Sequence, residues 1–315
     1  MDGLQWVTWD QATIGAIVSV CVAFAAARWR AAHPDGQRHV ARALDAVIPA
    51  ARELSFVAAI YAIWRVARTL PLTQDEGALE RARTLARIQD WFFLPTELSI
   101  QQWIVDHETL VEWTAGYYAV VHVPSLIAFL IWLWVRHRDD YRHWRTGLAS
   151  LTAACLVIRF FRVAPPRFLP ELGFVDLSER VGMNVYGPVG TGVSDQFAAM
   201  PSIHVGWAAV VALGVFRVSP SRWRWLIVLH LPVTMWVVAA TGHHWWLDGI
   251  VALVLLWAGL ALDTRLRPAL AGAGLAVPVS VFDGAATAAS TGAAAPALVP
   301  VPVNPPAESG VSRRP

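Results

Sequence analysis

The sequence predicts an all-α fold, a polytopic bundle of membrane helices, on three grounds. Long apolar stretches recur along the chain, charge is scarce, and the arginines collect between those stretches. The 315 residues are 56% hydrophobic and 15% charged, with a mean hydropathy of +0.46, a balance too apolar for an ordinary soluble domain of this length. All 25 basic residues are arginine and the formal charge is only +2, so it is their placement that informs. They form short clusters, with no basic stripe along a soluble face, which argues against nucleic-acid binding. Cys21 and Cys155 both fall inside apolar segments at no metal-binding or redox spacing, so neither a disulfide framework nor a zinc site is implied.

A helix needs about 20 mostly apolar residues to cross a bilayer. Seven stretches qualify, at roughly 11–28, 47–66, 114–135, 146–163, 201–217, 224–241 and 246–263. The first resembles a secretory signal in length. Its charge order is reversed, however, with Asp2 and Asp10 before it and Arg28 and Arg30 after it, so it reads as a true span with its N-terminus outside. Arginine clusters then follow spans one (Arg28 to Arg42), three (Arg136 to Arg145), five (Arg217 to Arg224) and seven (Arg265 and Arg267). Those connections alternate with the others, so all can be cytoplasmic together. The connections near 67–113, 164–200 and 242–245 then face outward.

Within the outer connection, "IQDWFFLPTELSIQQWIVDH" mixes aromatics with acids and is too polar to span, so it predicts an interfacial helix or helix pair with a structural role. From about residue 268 the composition turns to Ala, Pro, Val and Gly and cannot build a core, which predicts a disordered cytoplasmic tail. The expected organisation is an added N-terminal helix and loop over 1–46, a six-helix core over 47–263 and the tail over 264–315.

Three stretches carry chemistry. In "AAMPSIHVGWAAV", Pro201 suits the first position of a helix, which places Ser202, Ile203 and His204 in the first turn. Unpaired N–H groups and the positive dipole end make such a turn an anion site. In "TGHHWWLDGI", His244 and Asp248 stand four apart and share a face if both are helical, so Asp248 can orient the imidazole while His243 points elsewhere. The positive helix end favours a neutral imidazole, as a nucleophile requires, and Trp245 and Trp246 suit the headgroup layer. In "RFFRVAPPRFLP", Arg167 follows two prolines that fix its backbone, and a guanidinium grips phosphate oxygens in pairs. Arg159 and Arg162, at the end of the fourth span, stand near enough to help. His122 and His230 read as hydrogen-bonded packing residues.

Arg167, then Pro201-Ser202-Ile203-His204, then His244-Trp245-Trp246-Leu247-Asp248, in that order and on one membrane face, resembles the type 2 phosphatidic acid phosphatase superfamily. The likeness is greatest to its inositol phosphorylceramide synthase-like, inositolphosphotransferase branch, in which a larger residue replaces the glycine of Pro-Ser-Gly-His, as Ile203 does here. The resemblance spans roughly 47–263. It implies that His244 is a nucleophile forming a phosphohistidine, Asp248 its partner and His204 the acid for the leaving oxygen. Ser202 and Arg167, with Arg159 and Arg162 beside them, would hold the phosphoryl oxygens. No metal and no cofactor is implied. Two departures are visible: Phe160 stands where the superfamily has a lysine, and Val237 and Val238 stand where it has Ser-Arg. A site short of two cations suits a singly charged phosphodiester better than a dianionic monoester.

The function expected is phosphoryl transfer on a lipid phosphate or phospholipid at the extracytoplasmic face of the plasma membrane. Hydrolysis and head-group transfer to an alcohol remain open. Two other classes compete: a metal-dependent membrane enzyme with His204, His243, His244 and Asp248 as ligands, and a transporter or scaffold with a degenerate site. Oligomeric state has no signal in the sequence.

Overall fold

The computed structural model describes residues 7–33, 36–69, 77–92, 95–183 and 196–272; the expected disordered tail lies almost wholly outside them. The described residues are helical apart from turns and one isolated pairing of Val163 with Ala198. Helix α1 (Trp9–Ala32) starts in a capping box, with Thr8 N–H donating to Gln11 Oε1 at 3.0 Å, which carries it beyond its predicted start. It pairs with α2 (Arg38–Thr69) in antiparallel fashion. Arg30 meets Asp45 at 3.5 Å near one end, and Tyr61 O–H donates to Val7 O at 3.0 Å near the other. Both helices overrun the apolar windows, because arginine stems continue a helix while their heads reach water.

Two short helices follow, α3 (Ala78–Gln89) and α4 (Glu97–Val105); the segment read as an interfacial helix or helix pair contains α4 and only the last two residues of α3. The third predicted span is broken into α5 (Glu108–Val120) and α6 (His122–Arg136), bent by 46°. Pro124 has no N–H for the carbonyl of Val120, so the ladder opens at the bend. Helix α7 (Arg138–Ile158) stops earlier than predicted. Pro165 disfavours helix at Ala164, and Val163 is already bonded elsewhere, its N–H donating to Phe197 O and its carbonyl accepting from Ala199 N. Arg159 and Arg162 therefore lie in a turn beyond the helix.

A short α8 (Leu177–Arg180) precedes α9 (Ile203–Val218), α10 (Arg224–Val228), α11 (His230–Ala240) and α12 (Trp246–Gly272). Helix α12 runs past its predicted end, and Asp263 helps hold the extension through Arg267 at 2.7 Å and His143 at 2.8 Å. The core lies where α6, α7, α9 and α12 meet, around Phe129, Leu133, Trp144, Leu151, Val210 and Leu256. Close approach depends on α9 glycines: a Cβ on Gly206 would stand 2.5 Å from Leu151, and one on Gly214 would strike Phe129.

Three helices are long and apolar enough to cross a membrane, Trp9–Ala32, Arg38–Ala67 and Trp246–Ala269, and the bent α5–α6 pair makes a fourth if taken as one span. Of the seven predicted spans, Ile203–Val218 and Arg224–Ala240 are apolar but shorter, and α7 opens on a charged turn containing Asp139 and Asp140. Ile14, Phe24, Leu54, Ile63, Val135 and Trp257 are all exposed on these helices, an apolar surface that favours lipid over water.

Candidate active site

The start of α9 is set by Ser202, whose Oγ accepts from Val205 N at 3.3 Å as the N-cap. Pro201 consequently precedes the helix instead of opening it, while Ile203 and His204 are its first two residues. Ser202 N–H donates to Asp248 O at 3.0 Å, tying this helix end to the first turn of α12.

The start of α12 differs from the sequence expectation. His244 stands two residues before the helix, whereas Asp248 is its third residue and accepts from Trp245 N at 2.8 Å. The next two amides are also satisfied. Trp246 N–H donates to Glu97 Oε1 at 2.8 Å, Leu247 N–H donates to Gln89 Oε1 at 3.0 Å, and Gln89 Nε2 joins the two acceptors by donating to Glu97 at 2.8 Å. The positive helix end is thus met by carboxylates and does not act as the predicted bare dipole on His244. Burial raises the Glu97 carboxyl above its ordinary value, and the bonds from Trp246 and Gln89 oppose that shift. Trp245 is buried with its indole donating to Ala164 O at 2.9 Å, and Trp246 donates to Pro95 O at 2.8 Å, so both anchor the loops as well as the helix end.

His244 Nδ1 lies 2.8 Å from Ala199 O and 3.3 Å from Asp248 Oδ2. A carbonyl can only accept, so Nδ1 carries a proton, and in the neutral imidazole the lone pair is then on Nε2. Asp248 does contact the imidazole, but the shorter bond belongs to the backbone of Ala199. Nε2 is buried without a hydrogen-bond partner, and the His204 ring is centred 5.7 Å away. Tyr118, unmarked in the sequence reading, stacks on His243 at 4.1 Å and lies 4.5 Å from His204, so one aromatic ring positions both imidazoles. This accounts for His243: burial first, and then the Arg167 guanidinium, hold its imidazole well below its ordinary range, and it serves as a neutral packing partner. His230 is bonded to Tyr117 and Ser125, as a packing residue would be. His122 lies edge-on to His204 at 5.0 Å and is therefore part of the site's wall.

The turn before His244 is held by Gly242, at φ +67°, whose carbonyl accepts from Arg167 N at 3.0 Å. Gln101 buttresses it by donating to Ala240 O at 3.2 Å and Val175 O at 3.0 Å. Arg167 is 2% exposed in its side chain and forms an ion pair with Asp176, Nε to Oδ2 at 3.0 Å. The other two predicted phosphate-binding arginines are buried, and their segment is tied to neighbouring elements. Arg159 Nη1 donates to Ala67 O at 2.5 Å, and the Arg162 carbonyl accepts from Arg81 at 2.5 Å. Among the described residues, no group of three His, Cys, Asp or Glu side chains has the placement to hold a metal ion.

Two variants test this framework. Glu97→Leu leaves the Trp246 N–H and the Gln89 Nε2 amide without their shared acceptor and is expected to destabilise the protein by about 2–4 kcal/mol, read as a lowered midpoint of thermal unfolding in detergent. Gly242→Ala forces a side chain into a left-handed conformation, with its Cβ 3.1 Å from Gln101 Nε2. It is expected to cost about 1–2 kcal/mol and to lower activity more than stability, because Arg167 and His243 both hang on that turn.

A model of the PAP2 superfamily matches residues 83–262. The chain belongs to the PAP2 superfamily. The match includes Arg167, Ser202, His204, His244 and Asp248, and it leaves out α1 and α2. No curated protein and no solved structure matches the chain. PAP2 proteins are in general phosphatases and phosphotransferases, so this helical membrane chain is read as an enzyme of that kind. Residues that the sequence reading missed are Gln89, Glu97, Gln101, Tyr118 and Asp176. The one available signal was Glu97, an acid within an aromatic segment.

Proposed function

We propose that the protein is a metal-independent phosphoryl-transfer enzyme acting on a lipid-linked phosphate at the extracytoplasmic face of the plasma membrane, through a phosphohistidine on His244. The observation that carries this reading is the His244 imidazole, with Nδ1–H held by Ala199 O and Asp248 and an unpartnered Nε2 next to the His204 ring. In the first step Nε2 attacks phosphorus, the bond to the leaving oxygen breaks, and His204 protonates that oxygen. In the second, water or an alcohol attacks phosphorus, the phosphorus–nitrogen bond breaks, and His204 takes the proton back. Asp248 and Ala199 stabilise the Nδ1–H throughout. Arg167, Ser202 and the amides at the start of α9 hold the equatorial oxygens, with Arg159 and Arg162 flanking them.

The missing arginine of the third motif, where Val237 and Val238 stand in place of Ser-Arg, favours the inositolphosphotransferase-like branch, in which an alcohol is the acceptor. The arginine-rich connections favour a cytoplasmic side opposite the site, with α1 added to a six-span core of α2, α5–α6, α7, α9, α10–α11 and α12. The test is turnover by purified protein in mixed micelles containing chelator, with phosphatidate, a polyprenyl diphosphate, or phosphatidylinositol with and without a lipid alcohol. Head-group exchange that requires His244 is the expected result. Phosphate release that requires His244 would make it a hydrolase, and activity abolished by the chelator would contradict the metal-free scheme.

A further inference from the structure

The phosphate-gripping arginine is already countered. Arg167 has a side chain only 2% exposed and pairs with Asp176 at 3.0 Å, the carboxylate itself being 19% exposed. Asp176 is fixed from the other side as well, because its Oδ1 accepts from Glu179 N at 3.1 Å and caps α8. The pair is therefore built into two elements instead of being a loose surface contact. Arg159 and Arg162 are buried beyond α7, but the positions at which the superfamily carries a further lysine and arginine are apolar here. Val237 and Val238 are buried against Tyr118 and Val205 behind the histidine turn, Phe160 and Phe161 are exposed, and the chain contains no lysine.

A buried cation beside a fixed carboxylate offers an incoming phosphate about one unit of charge less than the same cation alone. A monoanion tolerates that loss better than a dianion, whose second charge is repelled by the Asp176 carboxylate. We propose that Asp176 is a positioning residue that sets substrate charge: acting through Arg167, it selects a singly charged phosphodiester and disfavours a dianionic phosphomonoester. This rests on the proposed phosphoryl-transfer reading for its substrates, and on the geometry alone for its effect on anion binding.

The test compares wild type, Asp176→Asn and Asp176→Glu as full-length protein in micelles. The asparagine keeps the shape and the α8 cap while removing the charge; the glutamate keeps the charge. Two readouts are taken: kcat/KM for phosphatidate relative to phosphatidylinositol, and the affinity of inorganic phosphate relative to dimethyl phosphate at a pH where the former is a dianion. In Asp176→Asn both ratios are expected to rise about tenfold toward the dianion, with Asp176→Glu staying near wild type. A merely structural role would lower both substrates together and leave the ratios unchanged, and that result would overturn the proposal. If wild type turns over neither substrate, the phosphoryl-transfer reading fails, and the phosphate-to-dimethyl-phosphate ratio still decides the role of Asp176.

Discussion

Replacing His244 by alanine is expected to abolish turnover, by on the order of 10³-fold or more, with little change in folding. The imidazole is buried but its Nε2 has no hydrogen-bond partner, so its removal deletes the attacking atom without orphaning a donor at that nitrogen. On the Nδ1 side the loss is limited to one contact at 2.8 Å with Ala199 O and one at 3.3 Å with Asp248. The measurement is initial rate in micelles beside thermal unfolding of the same preparation. Turnover within tenfold of wild type would remove His244 from the nucleophile's role. His244→Gln should be equally inactive, because an amide cannot replace the Nε2 lone pair.

His204→Ala is expected to lower kcat by about 10²–10⁴-fold for natural lipid leaving groups, the usual reach of general acid catalysis. The defect should shrink for an activated aryl phosphodiester, whose leaving oxygen departs without a proton. A loss of equal size on both substrates would instead mean that His204 organises the site. Such a structural share has a physical basis, because its ring is packed among Tyr118 at 4.5 Å, His122 at 5.0 Å and His244 at 5.7 Å. Tyr118→Phe and His122→Phe retain that packing and separate the two contributions.

The candidate site residues were legible because burying them is expensive. A histidine, a serine and an aspartate within apolar runs stand out against their surroundings, and their order along the chain carried the resemblance to the superfamily. What could not be read was any role played by backbone. Ala199 supplies the shorter bond to His244 from a position 45 residues earlier, and no side chain advertises a carbonyl. Glu97 and Gln89 cap α12 from 149 and 158 residues away, so their segment looked like a membrane-surface helix pair and nothing more. Hydropathy located the apolar stretches without their geometry. It could not register the bend at Pro124, the early end of α7 ahead of Pro165, or the extension of α12 beyond residue 263. Helical spacing placed His244 opposite Asp248 on one helix face. The contact exists, but His244 lies outside the helix and reaches Asp248 through the turn at its start.

The most direct measurement is to quench the enzyme during turnover of a phospholipid, under alkaline conditions that preserve phosphoramidates, and to map the modified residue by mass spectrometry. Phosphoryl-bearing mass on His244, absent from His244→Ala and accumulating when the acceptor is withheld, is the predicted result. Steady turnover with His244 unmodified, or with the mass on another residue, would contradict a covalent histidine mechanism at this site.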